Sequence, residues 1–243
     1  MTAMVSTLVL ASNSPRRRQL LALTGWTFTV QPVNIDEQPL PGELPAAYVL
    51  RLAETKARAA AQHALPGQTV LAADTTVADG SAILGKPAGA GEARSMLRSL
   101  RGREHRVYTA IGVCRPGTPA ALGTSITKSA EQGGVFTDVC ATRVWMRDYT
   151  DEEIEAYIAS GDPFDKAGAY AIQHQGFQPV ARIKGCYSCV VGLPVCRVAS
   201  ALARFELVPM TDVTAACFAH LELDAPCPVY QALLRIDRGG SQS

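Results

Sequence analysis

The chain has 243 residues, enough for one large domain or two small lobes around a core, and at 47% hydrophobic and 19% charged its composition is that of an ordinary globular protein. A formal net charge of +1 argues against a dedicated nucleic-acid binder, which carries a strong basic excess. No apolar run approaches the ~20 residues needed to span a bilayer. Met1–Ser6 lacks the basic region of a secretory signal, so the expected location is cytoplasmic. The seven cysteines, at 114, 140, 186, 189, 196, 217 and 227, then read as reduced, mostly buried thiols, and Cys186-x-x-Cys189 without a second pair is a weak signal for zinc or redox chemistry.

In chain order, residues 6–11 read as a strand and 15–24 as a helix, with Ser14 as its cap and Pro15 at its first position. Three arginines, Arg16–Arg18, occupy the first turn, where the exposed amides and the macrodipole already favour an anion. Residues 27–32 look extended. Residues 45–63 form a helix whose apolar stripe of Val49, Leu52, Ala53 and Ala60 also carries Lys56. Residues 69–73 form an apolar strand that ends at Asp74, followed by a hairpin around Asp79-Gly80 that leads to Gly85-Lys86-Pro87. A helix is predicted over 91–100, a strand over 105–114, a Gly/Pro/Ser-rich surface excursion over 115–134, and a strand over 135–147. Thr150-Asp151-Glu152-Glu153 opens a capped helix over 151–159 that Gly161 ends. Strands near 179–183 and 187–191 precede a helix starting near Pro194. Residues 207–243 show no clear period until Tyr230–Ile236, and Arg238–Ser243 read as disordered. Alternating strands and helices predict an α/β fold with a mixed sheet, the domain covering 1–206 and an extension 207–243.

Four polar groups stand where a fold prefers apolar ones. Arg17 lies on the buried side of its helix, Lys56 on an apolar stripe, Asp74 at the end of a core strand, and Lys86 in a Gly-x-Pro turn. Each alone has a structural explanation; a lone lysine on such a stripe ordinarily snorkels to water. Together they suggest a polyphosphate pocket. The carboxylate pair Asp36-Glu37 could serve a divalent ion, which takes a few carboxylates plus substrate phosphates. No Walker loop, dinucleotide fingerprint, metal-spaced histidine set or Gly-x-Ser-x-Gly elbow is present.

These residues fall into ordered blocks: Leu10-Ala11-Ser12-Asn13-Ser14-Pro15-Arg16-Arg17, Asp36-Glu37, Arg51-Leu52-Ala53-x-x-Lys56-Ala57, Ala73-Asp74-Thr75, Gly85-Lys86-Pro87, Ser160–Pro163 with Asp165–Tyr170, Ile172-Gln173 and Gly192-Leu193-Pro194. In this order the chain resembles the Maf family of nucleoside triphosphate pyrophosphatases. The resemblance implies a twisted mixed sheet with flanking helices, two lobes around a deep cleft, and a homodimer. It implies hydrolysis of a nucleoside triphosphate to monophosphate and pyrophosphate with Mg²⁺ or Mn²⁺, and no nucleic-acid or membrane partner. By motif position the implied active-site set is Ser12, Arg17, Glu37, Lys56, Asp74 and Lys86. The resemblance implies that Asp74 is the general base and that Glu37, with Asp74, is a metal ligand; the two roles of Asp74 compete, because a coordinated carboxylate is a poor base. Arg16, Thr75 and Gln173 resemble the branch acting on dTTP and UTP, and the Gln173 amide suits a pyrimidine edge. The alternatives are a pyrophosphatase for 7-methyl-GTP or another modified nucleotide, and a non-catalytic nucleotide sensor of septation. His174 departs from the glycine usual after Ile-Gln.

Overall fold

The computed structural model describes residues 7–116 and 134–220. Most of the 115–134 excursion, the Tyr230–Ile236 segment, the Arg238–Ser243 tail and Cys227 lie outside the described residues. The helices are α1 (Pro15–Ala22), α2 (Pro45–Ala61), α3 (Ala90–Leu100), α4 (Asp151–Ala159), α5 (Tyr187–Val191), α6 (Val195–Ala203) and α7 (Val213–His220). The strands are β1 (Leu8–Leu10), β2 (Phe28–Val30), β3 (Thr69–Asp79), β4 (Ala82–Leu84), β5 (Glu104–Cys114), β6 (Phe136–Met146) and β7 (Val180–Lys184). They form one mixed sheet, β2-β1-β3-β5-β6-β7, parallel at β2-β1-β3 and antiparallel beyond, with β4 paired to β3.

Three assignments differ from the sequence reading. The strand does not end at Asp74 but continues to Asp79, because β5 pairs with it from Val70 through Ala78. That pairing is non-local and overrides the local change of polarity. Residues 187–191 form a short helix, not a strand. An apolar run of five residues fits either element by periodicity. Gly185 decides, with φ +135° and a backbone so close to Thr142 that an added Cβ would lie 2.8 Å from its Oγ1; it lays the chain onto the sheet face. Helix α7 was not foreseen. Its buried residues are Val213 and Cys217, and Asp212 Oδ1 accepts from the amides of Thr214 and Ala215 at 2.9 and 3.0 Å, a capping signal that was available in the sequence. This segment is tied to α1: Trp26 Nε1 donates to the Val208 carbonyl at 2.8 Å and the Met210 amide to the Thr24 carbonyl at 3.0 Å. The capping box at Thr150 forms as read, with Glu153 accepting from the Thr150 amide at 2.8 Å.

Helix α2 covers one sheet face. Its Ala57 and Ala60 pack on Val9, Val70 and Ala72, and its Leu52 and Ala53 on Ala110. The approach is closest at Gly112, where a Cβ would stand 2.6 Å from the Ala53 carbonyl oxygen. On the opposite face lie two apolar cores. One joins Leu10, Leu20, Leu71 and Ile111 to α6 and α7, and the other joins Val77, Val107 and Val144 to α3 and α4.

The topology leaves a gap between them. One edge of β3 is paired with β5 throughout. On its other edge β1 pairs only as far as Leu71 and β4 begins only at Val77, so Ala72–Thr76 face neither strand. The chain leaving β1 turns into α1 beside this open edge, past the carboxyl end of a parallel strand, where ligands of α/β sheets bind. Asp74 and Thr75 sit on it, with side chains on opposite faces.

Candidate active site

A cavity of about 810 Å³ opens at this edge. All nine residues singled out from sequence, Ser12, Arg16, Arg17, Glu37, Lys56, Asp74, Thr75, Lys86 and Gln173, line it. Asp36, the other half of the carboxylate pair, turns outward and accepts from the Gln38 amide at 2.9 Å.

On the α2 face Lys56 does not snorkel. The residue is 8% exposed, and its Nζ lies 2.6 Å from Asp74 Oδ1 and 2.6 Å from Glu37 Oε1. Asp74 comes from the strand, Lys56 from the helix and Glu37 from the loop before that helix. Tyr48 and Arg51 hold the loop in place, a role the sequence reading did not assign. The Tyr48 hydroxyl donates to the Glu37 carbonyl at 2.8 Å, and Arg51 Nη2 donates to the Gln38 carbonyl at 3.1 Å and to Glu43 at 2.6 Å.

The two carboxyls titrate in opposite directions. Burial raises Asp74 above the ordinary carboxylate range, more than Lys56 and Arg17 lower it. For Glu37 the smaller burial is outweighed by the Lys56 hydrogen bond and by the charges of Lys56, Lys86 and Arg17, so it is lowered. Environments that separate two carboxyls in this way assign one to proton transfer and keep the other ionised.

On the other face Ser14 caps α1, its hydroxyl accepting from the Arg17 amide at 3.4 Å. The Arg17 guanidinium is fixed by the Gly192 carbonyl at 2.9 Å, the Thr75 hydroxyl at 3.1 Å and the Ser12 hydroxyl at 3.4 Å. Burial lowers its pKa from the free value, and the nearby Asp74 charge opposes this. Arg16 reaches Asp165 across the cleft at 3.5 Å, whereas Arg18 is exposed. Lys86 is exposed on the cavity wall, within reach of Glu37 electrostatically. Gln173 is exposed on the wall, while His174 is turned to the Tyr157 ring, 4.7 Å between centroids, and its Nδ1 accepts from the Phe177 amide at 2.9 Å.

Sequence reasoning also missed Lys166, a cavity residue 7% exposed, whose ammonium binds Asp162 Oδ1 at 2.9 Å and Asp165 Oδ1 at 2.6 Å. It did not single out Thr109, whose hydroxyl lies behind the wall 2.9 Å from that of Thr75, or the carbonyl of Gly192 on the wall itself, which accepts from Arg17 at 2.9 Å. Cys186 and Cys189 form a buried cluster with Cys140, none of the three in a disulfide. Among the described residues no helix is long and apolar enough to cross a membrane.

The chain is similar to known proteins over most of its length. A protein of Anaeromyxobacter dehalogenans (strain 2CP-C) is 47% identical over 201 residues, 83% of this chain and 95% of that protein. One of Geobacter sp. (strain M21) is 45% identical over 81% of this chain and 94% of its own length. One of Myxococcus xanthus (strain DK1622) is 47% identical over 85% and 96%. Each of the three is named dTTP/UTP pyrophosphatase. Among solved structures, a nucleoside-triphosphatase / dITP/XTP pyrophosphatase of Mycobacterium abscessus aligns over 82% of this chain and 94% of its own, at 14% identity and a TM-score of 0.38. The pattern of the Maf-like proteins matches residues 7–205, every block quoted above included, and the chain belongs to that family.

Proposed function

We propose that this chain hydrolyses nucleoside triphosphates, dTTP and UTP foremost, to the monophosphate and pyrophosphate. The observation that carries the proposal is the buried Lys56 ammonium held between Glu37 and Asp74, in one cavity with Arg17 and Lys86. Cations here answer the charge of a triphosphate, and the carboxylates answer the needs of a water nucleophile. The names of the relatives point to the same reaction and to pyrimidine nucleotides.

The donor set fits a divalent ion. Glu37 and Asp74 each give one oxygen to Lys56, and the second oxygen of each carboxylate makes no hydrogen bond among the described residues. Hard carboxylate oxygens of this kind suit Mg²⁺ or Mn²⁺, with Glu37 the principal ligand and Asp74 beside it. When bound, such an ion polarises the phosphoryl oxygens and neutralises developing charge.

The chain's own groups do the remainder. Asp74, raised by burial, accepts the proton of the attacking water. Lys56 orients that carboxyl through its 2.6 Å contact. Arg17, pinned on three sides, directs its remaining N–H donors at the phosphates, and Lys86 and Ser12 add to the stabilisation of the leaving pyrophosphate. Arg16, Thr75 and Gln173 recognise the base. A homodimer belongs to the same reading and is measured by sedimentation.

Pyrophosphate release from UTP, dTTP, CTP, GTP and 7-methyl-GTP with Mg²⁺ or Mn²⁺ tests the proposal. Turnover of UTP and dTTP above the others is expected, with Asp74→Asn folded and inactive. Full activity of Asp74→Asn, or nucleotide binding without hydrolysis in the wild-type chain, overturns it.

A further inference from the structure

Behind the cleft wall a row of polar groups can order its protons in only one direction. Thr109, fully buried on β5, places its hydroxyl 2.7 Å from the Cys189 carbonyl and 2.9 Å from the Thr75 hydroxyl. A carbonyl only accepts, so the single Thr109 proton goes to Cys189. The Thr75 proton must then go to Thr109. At the other end Arg17 Nη2 lies 3.1 Å from Thr75 Oγ1, and a guanidinium only donates. The chain of bonds therefore runs from Arg17 through Thr75 and Thr109 to the Cys189 carbonyl. Thr75 is left as an acceptor toward the cleft, with no proton to turn against Arg17.

We propose that Thr109 is a positioning residue for the reaction. By taking the Thr75 proton it fixes Thr75 as the acceptor that holds one edge of the Arg17 guanidinium, while Gly192 and Ser12 hold the others. This rests on the reading of Arg17 as the group that meets phosphate charge. Without Thr109's oxygen, the Thr75 hydroxyl loses its only buried acceptor along this row. It then rotates to donate into the cleft, and its proton opposes the Arg17 N–H. Buried rows of this kind are cooperative, so the loss at one end reaches the other.

A purely structural role makes different predictions. Thr109→Val keeps shape and removes the hydroxyl; Thr109→Ser keeps the hydroxyl and removes a methyl group. With UTP and Mg²⁺, Thr109→Val should lower kcat about ten-fold, the effect of roughly one hydrogen bond, with KM within about three-fold of wild type. Thr109→Ser should stay within about two-fold in kcat. In a Thr75→Val background, adding Thr109→Val should change nothing further, because Thr109 acts through Thr75. Thermal melts accompany every variant to confirm folding. Wild-type kcat in Thr109→Val, equal damage in Thr109→Ser, or additive effects in the double variant would overturn the proposal. If the wild-type chain hydrolyses no triphosphate, the functional reading fails on its own. The row is then judged by NMR of the Arg17 guanidinium protons. Slow exchange in wild type and Thr109→Ser, lost in Thr109→Val, supports it, and equal exchange in all three sinks it.

Discussion

Replacing Lys56 by methionine isolates the charge at the centre of the site. Methionine keeps the length of the apolar stem, which runs along the α2 stripe, and removes only the ammonium. Lys56 and Asp74 are 8% and 6% exposed and 2.6 Å apart, so Asp74 is left as a buried carboxylate with its main partner gone. Removing one member of a buried pair costs about 3–5 kcal/mol. The lower end applies, because the cavity admits water and the Glu37 side chain, at 47% exposure, is readily resolvated. For a chain of this size ~3 kcal/mol corresponds to a fall in Tm of roughly 6–12 °C. The assay is a thermal melt at pH 7.5 in EDTA, repeated with Mg²⁺ and Mn²⁺. A divalent ion at about 100 times its Kd contributes ~2.7 kcal/mol, enough to recover most of the loss. Wild type should gain less, because its ammonium already neutralises part of the carboxylate charge that the ion meets. The gap between the two proteins in EDTA should also narrow toward pH 5, where Asp74, raised further in the variant, takes up a proton. Melts within 2 °C of each other in EDTA (about the effect of 1 kcal/mol or less), or an equal gain from metal in both proteins, would refute the reasoning.

Two further outcomes follow from the packing. His105 is buried against Tyr170, its Nε2 2.7 Å from the phenol oxygen, and burial lowers its pKa from 6.5 to about 4. The folded form keeps the ring neutral while the unfolded chain takes up a proton, so stability present above pH 6.5 is lost as pH falls toward 4, by about 3 kcal/mol in all at ~1.4 kcal/mol per unit. Urea unfolding across this range should show the slope, and His105→Gln should lack it; equal slopes would count against the assignment. Gly112→Ala places a Cβ 2.6 Å from the Ala53 carbonyl oxygen, so α2 must shift. A loss of about 2 kcal/mol in stability and up to roughly 100-fold in turnover is expected from the displaced Lys56, read by melts and kcat.

What was legible in the sequence was what local chemistry determines. The helix start at Ser14-Pro15, the capping box at Thr150 and the lysine on the α2 stripe depend on neighbours within a few residues, and all three stand as read. Asp74, which lines the cavity, was placed at a strand end, because its pairing with Ala110 lies far along the chain. The partners of Lys56 were guessable as a set, yet their convergence was not. It requires the loop before α2 to be tied down by Tyr48 and Arg51, whose own partners are backbone carbonyls and Glu43. Thr109 carries no visible mark: a threonine in a β-strand has ordinary structural reasons to be there, and the role proposed for it lies in a hydroxyl proton. Gly192 stood in a quoted block with Leu193 and Pro194, but the contact of its carbonyl with Arg17 joins residues 175 apart in the chain.

The alternation of a β-strand explains why one cavity contains two kinds of chemistry. Consecutive residues of β3 point to opposite faces, so Asp74 meets α2 and its lysine while Thr75 meets α1 and its arginine. In the middle of a fully paired sheet these faces could not share a ligand. They open into one cavity here because β1 stops at Leu71 and β4 starts at Val77, leaving the strand edge open to both sides. The carboxylates and lysine proposed for proton transfer and metal binding therefore lie on the α2 side and the guanidinium with its hydroxyl support on the α1 side, and on that proposal a substrate laid across the edge touches both. The two sides are held by separate cores, α2 by its contact at Gly112 and α1 by the cluster around Leu20 and Leu71. Each set of charges thus has its own support, and β3, which carries both Asp74 and Thr75, joins the two.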